Sequence, residues 1–269
     1  MARPNVNLES KARLQPLGAG TRLEAERFIG LDMLRGAAVL WMTLFHFAFD
    51  LNHFGWIQQD FYHSPWWTVQ RACIVSLFLL CLGMGQAIAL AQYQSAARFW
   101  RRWVQIAACA AMVTAGSYWM FPNSWIYFGV LHGIALMLLV VRVTAHWGRW
   151  LWLAGAIAVA VGVSAPQWRP LLGEQANLLD GRSLNWLGLI SKKPITEDYA
   201  PLLPWIGVVW WGLALGQWLL KNRPSVFSVD VLPRVVQQGL AWVGRWSLSW
   251  YMVHQPILIG TLTLVAWAQ

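Results

Sequence analysis

Arg35 and His46 stand eleven positions apart in a stretch that is otherwise largely apolar. At about 100° per residue that separation brings both back to one helix face, roughly 20° apart. Asp32 lies three positions before Arg35, Asp50 four after His46 and His53 three further on. Five polar groups thus share a stripe roughly 30 Å long. Their order suggests chemistry. Arg35, near one end, offers a fork of donors suited to an anionic group such as a phosphate. His46 lies deeper, where an imidazole can exchange a proton near neutral pH, and Asp50 one turn on could hold that ring in one orientation. A core histidine merely hydrogen-bonded to a neighbouring helix is the plainer alternative for a lone His; the shared face of Arg35, His46 and Asp50 weighs against it. His46, Asp50 and His53 are also metal-ligand types. Closer histidine spacing or a further ligand would be wanted, and Arg35 on the same stripe opposes a cation, so no metal is expected.

The elements that position these groups are membrane helices. Of the 269 residues 58% are hydrophobic and 12% charged, against about 25% charged in an ordinary soluble domain. A stripe of ionisable groups on such a helix must turn away from lipid, toward the bundle interior, a cavity or a water-filled path. Spans of near-membrane length fit at about 33–52, 71–92, 103–120, 126–143, 150–165, 202–220 and 246–268. The expected fold is an all-α polytopic bundle of about seven helices, with eight the alternative count; Val235–Val243 reads either as an interfacial helix or as the start of the last span. Cys73, Cys81 and Cys109 all fall in apolar segments, where a small soft side chain packs and neither a disulfide nor zinc is expected.

The formal charge of +9 is spread along a membrane chain rather than gathered on a solvated domain, which excludes nucleic acid as a partner. Topology accounts for it. Fourteen Lys and Arg fall on one side, namely Arg3, Lys11, Arg13, Arg22 and Arg27 in the tail and the clusters at 98–102, 142–149 and 221–245. Arg71 and the loop residues Arg169, Arg182, Lys192 and Lys193 fall on the other. This places the N-terminal tail, residues 1–30, in the cytoplasm and the loop of about 166–200 outside. Residues 31–269 then form one transmembrane domain. The tail has no apolar run, so it does not read as a signal peptide. His132, a few residues into the fourth span, and Asp198 and Tyr199, just before the sixth, would converge near the outer face with His63, and Asp50 and His53 could join them. His254 precedes Gln255 and Pro256 in mid-helix, where the proline frees a carbonyl that neighbouring groups must satisfy; a purely structural kink is the alternative. Arg71 either marks a helix mouth or steers an anion.

The pattern Asp32-x-Leu34-Arg35-Gly36 followed by His46 resembles the Arg-to-His signature of membrane acyltransferases of the acyltransferase-3 type. Asp50-Leu51-Asn52, Phe128 to His132, Asp198 to Trp205 and Gly244 to Pro256 are similar to blocks of the bacterial relatives of heparan-alpha-glucosaminide N-acetyltransferase. The resemblance implies an acyltransferase of the bacterial cytoplasmic (inner) membrane. Acetyl-CoA would be the donor on the cytoplasmic side, and a carbohydrate-like amine or hydroxyl the acceptor on the other. It also implies His63, in Tyr62-His63-Ser64-Pro65-Trp66, as a competitor to His46 for the catalytic role, with an exposed loop histidine as the plain alternative. On this reading His46, His63 and Asp50 are catalytic, Arg35, Asp32 and Arg71 hold the acyl-CoA, and His132, Asp198, Tyr199 and His254 contact the acceptor. The partners are the lipid bilayer, acyl-CoA and the acceptor, and a homodimer is compatible with them. A proton-coupled transporter is the rival class, because intramembrane His and Asp relays serve that purpose too; no inverted repeat is visible.

Overall fold

The computed structural model describes residues 28–227 and 232–268. The tail cations Arg3, Lys11, Arg13, Arg22 and Arg27 lie outside the described residues. Those described form helices and loops without a strand. In chain order the helices are α1 (Ile29–His53), α2 (Pro65–Ala91), α3 (Ala96–Met120), α4 (Val130–Thr144), α5 (Trp150–Trp168), a short α6 (Ala176–Asp180), α7 (Leu202–Asn222), α8 (Arg234–Arg245) and α9 (Ser247–Trp267).

Among the described residues five helical stretches are long and apolar enough to cross a membrane: α1, α2, α4 continued to Trp147, α5 continued to Asp180, and α7. The chain is a multi-pass membrane protein. α3 and α9, also expected as spans, fall outside those five because of their polar content. Arg98, Arg101 and Arg102 open α3, and α9 carries His254, Gln255 and several hydroxyls. α3 begins at Ala96, earlier than the expected 103, because Ser95 caps it by accepting from the Arg98 amide. The stretch around Val235–Val243 is a helix of its own. α8 ends at Arg245, and Trp246 separates it from α9.

α7 is the hub. Ile206, Val209, Leu213 and Ala214 pack with Leu79 of α2, Met137 and Val141 of α4, and Leu151 and Ala158 of α5. Lipid offers no hydrophobic drive between helices, so association rests on close packing and small residues. A methyl group on Gly83 would overlap the Val209 carbonyl, and one on Gly212 the Leu80 carbonyl. α1 meets α8 in the same way: a methyl on Gly36 would overlap the Leu240 carbonyl, and one on Gly244 the Asp32 carbonyl. That crossing sets the end of α8 against the first turns of α1.

From there α1 and α9 rise side by side in parallel. Trp250 Nε1 donates to Thr43 Oγ1 at 2.9 Å, His46 pairs with His254 at 2.9 Å, and Gln255 Nε2 donates to Asp50 Oδ1 at 2.8 Å. Helix numbers climb together along this ladder.

The expected loop of 166–200 is largely folded. α5 runs through Pro166 to Trp168, and short helical turns follow at Arg169–Gln175, Ala176–Asp180 and Asn185–Leu187. Arg169, 3% exposed, ties the turn by binding Asp180 Oδ2 at 2.9 Å, and the Ser191 amide and hydroxyl donate to the same carboxylate. The end of this loop pairs with the segment before α4. The Glu197 amide donates to Ser124 O at 2.9 Å, the Ala200 amide to Phe128 O at 3.3 Å, and Thr196 Oγ1 to Trp125 O at 3.0 Å. These bonds engage the backbone of residues 124–128 with the loop in place of helix, and α4 starts at Val130 rather than 126.

Candidate functional site

The ladder between α1 and α9 carries the groups best placed for chemistry. His254 is 7% exposed. Its Nδ1 lies 2.8 Å from the Tyr251 carbonyl oxygen, and a carbonyl can only accept, so Nδ1 bears the proton. Neutral His254 therefore presents a bare Nε2, and His46 Nδ1–H donates to it at 2.9 Å. The consequence reaches the other edge of His46: its Nε2 is left with a lone pair. The ring centroids lie 5.0 Å apart, and Phe45 packs edge-on against His46. His46 is thus oriented by His254, where the sequence suggested Asp50. Asp50 is engaged instead by Gln255, because the i+4 spacing that puts Asp50 on the His46 face also aims it at the next rung of α9.

A second cluster joins the starts of α4 and α7 to α9. Asp198 Oδ2 accepts from the Val130 amide at 2.7 Å and from the Tyr251 hydroxyl at 3.2 Å. It serves as a side-chain cap for α4, and a methyl group on Gly129 would overlap its carboxylate. Burial pushes the Asp198 carboxyl up from its ordinary value, and the Val130 and Tyr251 hydrogen bonds pull it only part of the way back. Tyr251 links the two clusters, with its hydroxyl on Asp198 and its carbonyl on His254.

His132 lies beside this cap with both ring nitrogens committed. Nδ1 accepts from the Gly129 amide at 3.2 Å. Thr114 Oγ1 spends its proton on the Ile126 carbonyl, so Nε2–H of His132 donates to that hydroxyl at 3.0 Å. The ring is a neutral brace between α3 and α4. The Tyr199 hydroxyl donates to Asn185 O at 2.6 Å, and Asn185 Nδ2 reaches the Tyr127 hydroxyl at 2.7 Å, which ties the loop of residues 169–200 to the segment before α4.

At the opposite end of α1, Arg35 Nη1 pairs with Asp32 Oδ1 at 3.0 Å. Arg102 of α3 and Arg245 of α8 lie within electrostatic reach of this pair. Three cations and one carboxylate leave an excess of positive charge, which suits a polyanionic ligand.

His63 sits apart from these clusters. It is exposed in the turn before α2, with Nδ1 3.1 Å from Asp60 Oδ2. His53 is exposed and packs edge-on to Phe54, so the stripe leaves the interior at the C-terminal end of α1. Arg71 lies near the start of α2 within electrostatic reach of Tyr62 and Lys193. Among the described residues no three His, Cys, Asp or Glu side chains are grouped to hold a metal ion.

Sequence reasoning missed the pairing of His46 with His254, the bridging role of Tyr251 and the part played by Gln255. The available signal was the spacing Tyr251-x-x-His254-Gln255, which places all three within one turn of a helix. No curated protein and no solved structure matches the chain. A family model does, from Arg27 to Pro256, a span that takes in all three rungs of the ladder and the basic end of α1. Its description is heparan-alpha-glucosaminide N-acetyltransferase, catalytic, and the chain belongs to that family.

Proposed function

We propose that this protein is a membrane-embedded acetyltransferase that moves an acetyl group from acetyl-CoA at the cytoplasmic face to a sugar amine or hydroxyl on the other side. The observation that carries the reading is the direction of the hydrogen bond between His46 and His254, which leaves His46 Nε2 able to take a proton inside the bundle. Arg35, Arg102 and Arg245 supply the positive charge that CoA phosphates need. Seven spans are the proposed topology. The parallel run of α1 and α9 fits an odd number of crossings, and the clustering of Lys and Arg fits a cytoplasmic N-terminus.

In the transfer step His46 Nε2 removes the proton from the acceptor N–H or O–H as that atom attacks the thioester carbonyl carbon. The new C–N or C–O bond forms, the C–S bond breaks, and the proton on His46 passes to the departing CoA sulfur. His254 stabilises the transient imidazolium by accepting from its Nδ1–H. Replacing His46 with Ala should lower kcat for acetyl transfer by roughly 100-fold or more, with an unchanged elution profile in detergent. Full activity in a folded His46→Ala protein would sink the assignment.

A further inference from the structure

Two oxygens beside the histidine pair have nothing to accept. Asp50 Oδ2 and Gln255 Oε1 are buried and without a hydrogen-bond partner, and Asp50 as a whole is 3% exposed. Turning the amide does not repair this. Gln255 Nε2 donates to Asp50 Oδ1 at 2.8 Å, and a flip would set one acceptor against another. The bare oxygens therefore belong to one linked pair, one turn beyond His46 on α1 and one residue beyond His254 on α9. Buried polar groups in folded proteins are satisfied, so an unmet acceptor at a reaction centre points to a donor that arrives with the ligand. His46 Nε2 is a third acceptor in the same row. Nothing in the transfer step itself uses the other two oxygens.

We propose that Asp50 and Gln255 form a specificity subsite that receives a second N–H or O–H group of the acceptor, next to the nucleophile that His46 deprotonates. The substrate class is then an amine or alcohol flanked by another hydrogen-bond donor, as in an amino sugar or a polyol. A simple monoamine leaves the subsite unpaired. This rests on the acetyltransferase reading above.

The test uses the full chain in nanodiscs with acetyl-CoA and two probe acceptors, glucosamine, whose amine is flanked by hydroxyls, and cyclohexylamine, which has none. Wild-type protein should favour glucosamine in kcat/KM by roughly tenfold or more, because a site built for a donor penalises its absence. Asp50→Asn turns an acceptor into a donor and Gln255→Met removes one; each should abolish most of that preference by lowering kcat/KM for glucosamine more than for cyclohexylamine. Should Asp50→Asn fail to fold, Gln255→Met carries the test. Wild-type transfer without preference, or variants that keep it, overturns the subsite. If wild-type protein transfers to neither probe, calorimetric binding of glucosamine alone decides. Binding weakened in both variants upholds the subsite and discards the transfer reading, whereas binding unaffected or absent overturns the subsite.

Discussion

The proton positions at His46 follow from a carbonyl that has no choice but to accept. Tyr251 O fixes the tautomer of His254, and His254 fixes that of His46. His254 is thus a positioning residue, and its worth can be measured apart from its bulk. In His254→Phe the acceptor is lost, and kcat should fall by about 10- to 100-fold, the range found when the partner orienting a metal-bound histidine is removed. His254→Gln can offer its amide oxygen near the old Nε2 and should recover part of that loss. The pH profile of kcat should move in the Phe variant and return toward wild type in the Gln variant, a readout that a packing defect would not produce. Equal losses in both, with an unmoved profile, would count against the relay. In the sequence only half of this was legible. His46 announced itself by sharing a face with Arg35, a consequence of helical geometry within one segment. His254 lies 208 positions away, and which helix lies beside α1, in which direction, depends on packing that spacing does not encode.

Helix boundaries and contacts show the same division. Apolar runs revealed where the long helices lie, since the cost of unpaired backbone in lipid leaves a helix as the option for each. They missed the start of α4, which follows hydrogen bonds between residues 124–128 and the loop at 196–200, and the close crossings, which are set by glycines chosen for a neighbour's backbone. Those crossings can be tested. Gly36→Ala and Gly83→Ala place a methyl group against the carbonyls of Leu240 and Val209, which belong to helix backbone and cannot swing aside. Each should destabilise the protein by about 1–3 kcal/mol or more, as overpacking does. Gly116→Ala and Gly260→Ala, where no atom lies within 4 Å of the added carbon, should be neutral or slightly stabilising because alanine favours helix over glycine. Thermal aggregation in detergent measures all four. Equal behaviour of the two pairs would mean that α1–α8 and α2–α7 do not meet through these glycines.

At the scale of the whole molecule, the two ends of the bundle differ in charge and the His46–His254 pair lies between them. Arg35, Arg102 and Arg245 gather at the beginning of α1, and the folded loop of residues 169–200 closes over the beginnings of α4 and α7. Asp198, carried in by that loop, meets Tyr251 at about the level where Thr43 and His46 of α1 pair with α9, so the loop reaches the histidine pair. Irregular backbone at that level is tolerated where protein surrounds it or where it lines a cavity. Donor and acceptor entering from opposite ends would meet at the level of His46. In sealed proteoliposomes with glucosamine trapped inside and acetyl-CoA added outside, molecules facing the right way should therefore accumulate N-acetylglucosamine in the lumen and release CoA into the medium. A transporter built on the same His and Asp groups would instead let glucosamine out when acetyl-CoA is omitted. Efflux without acetyl-CoA and no lumenal product would replace the enzyme reading with the transporter. Product formed only when both substrates share one compartment would keep the chemistry but place both entrances on one face.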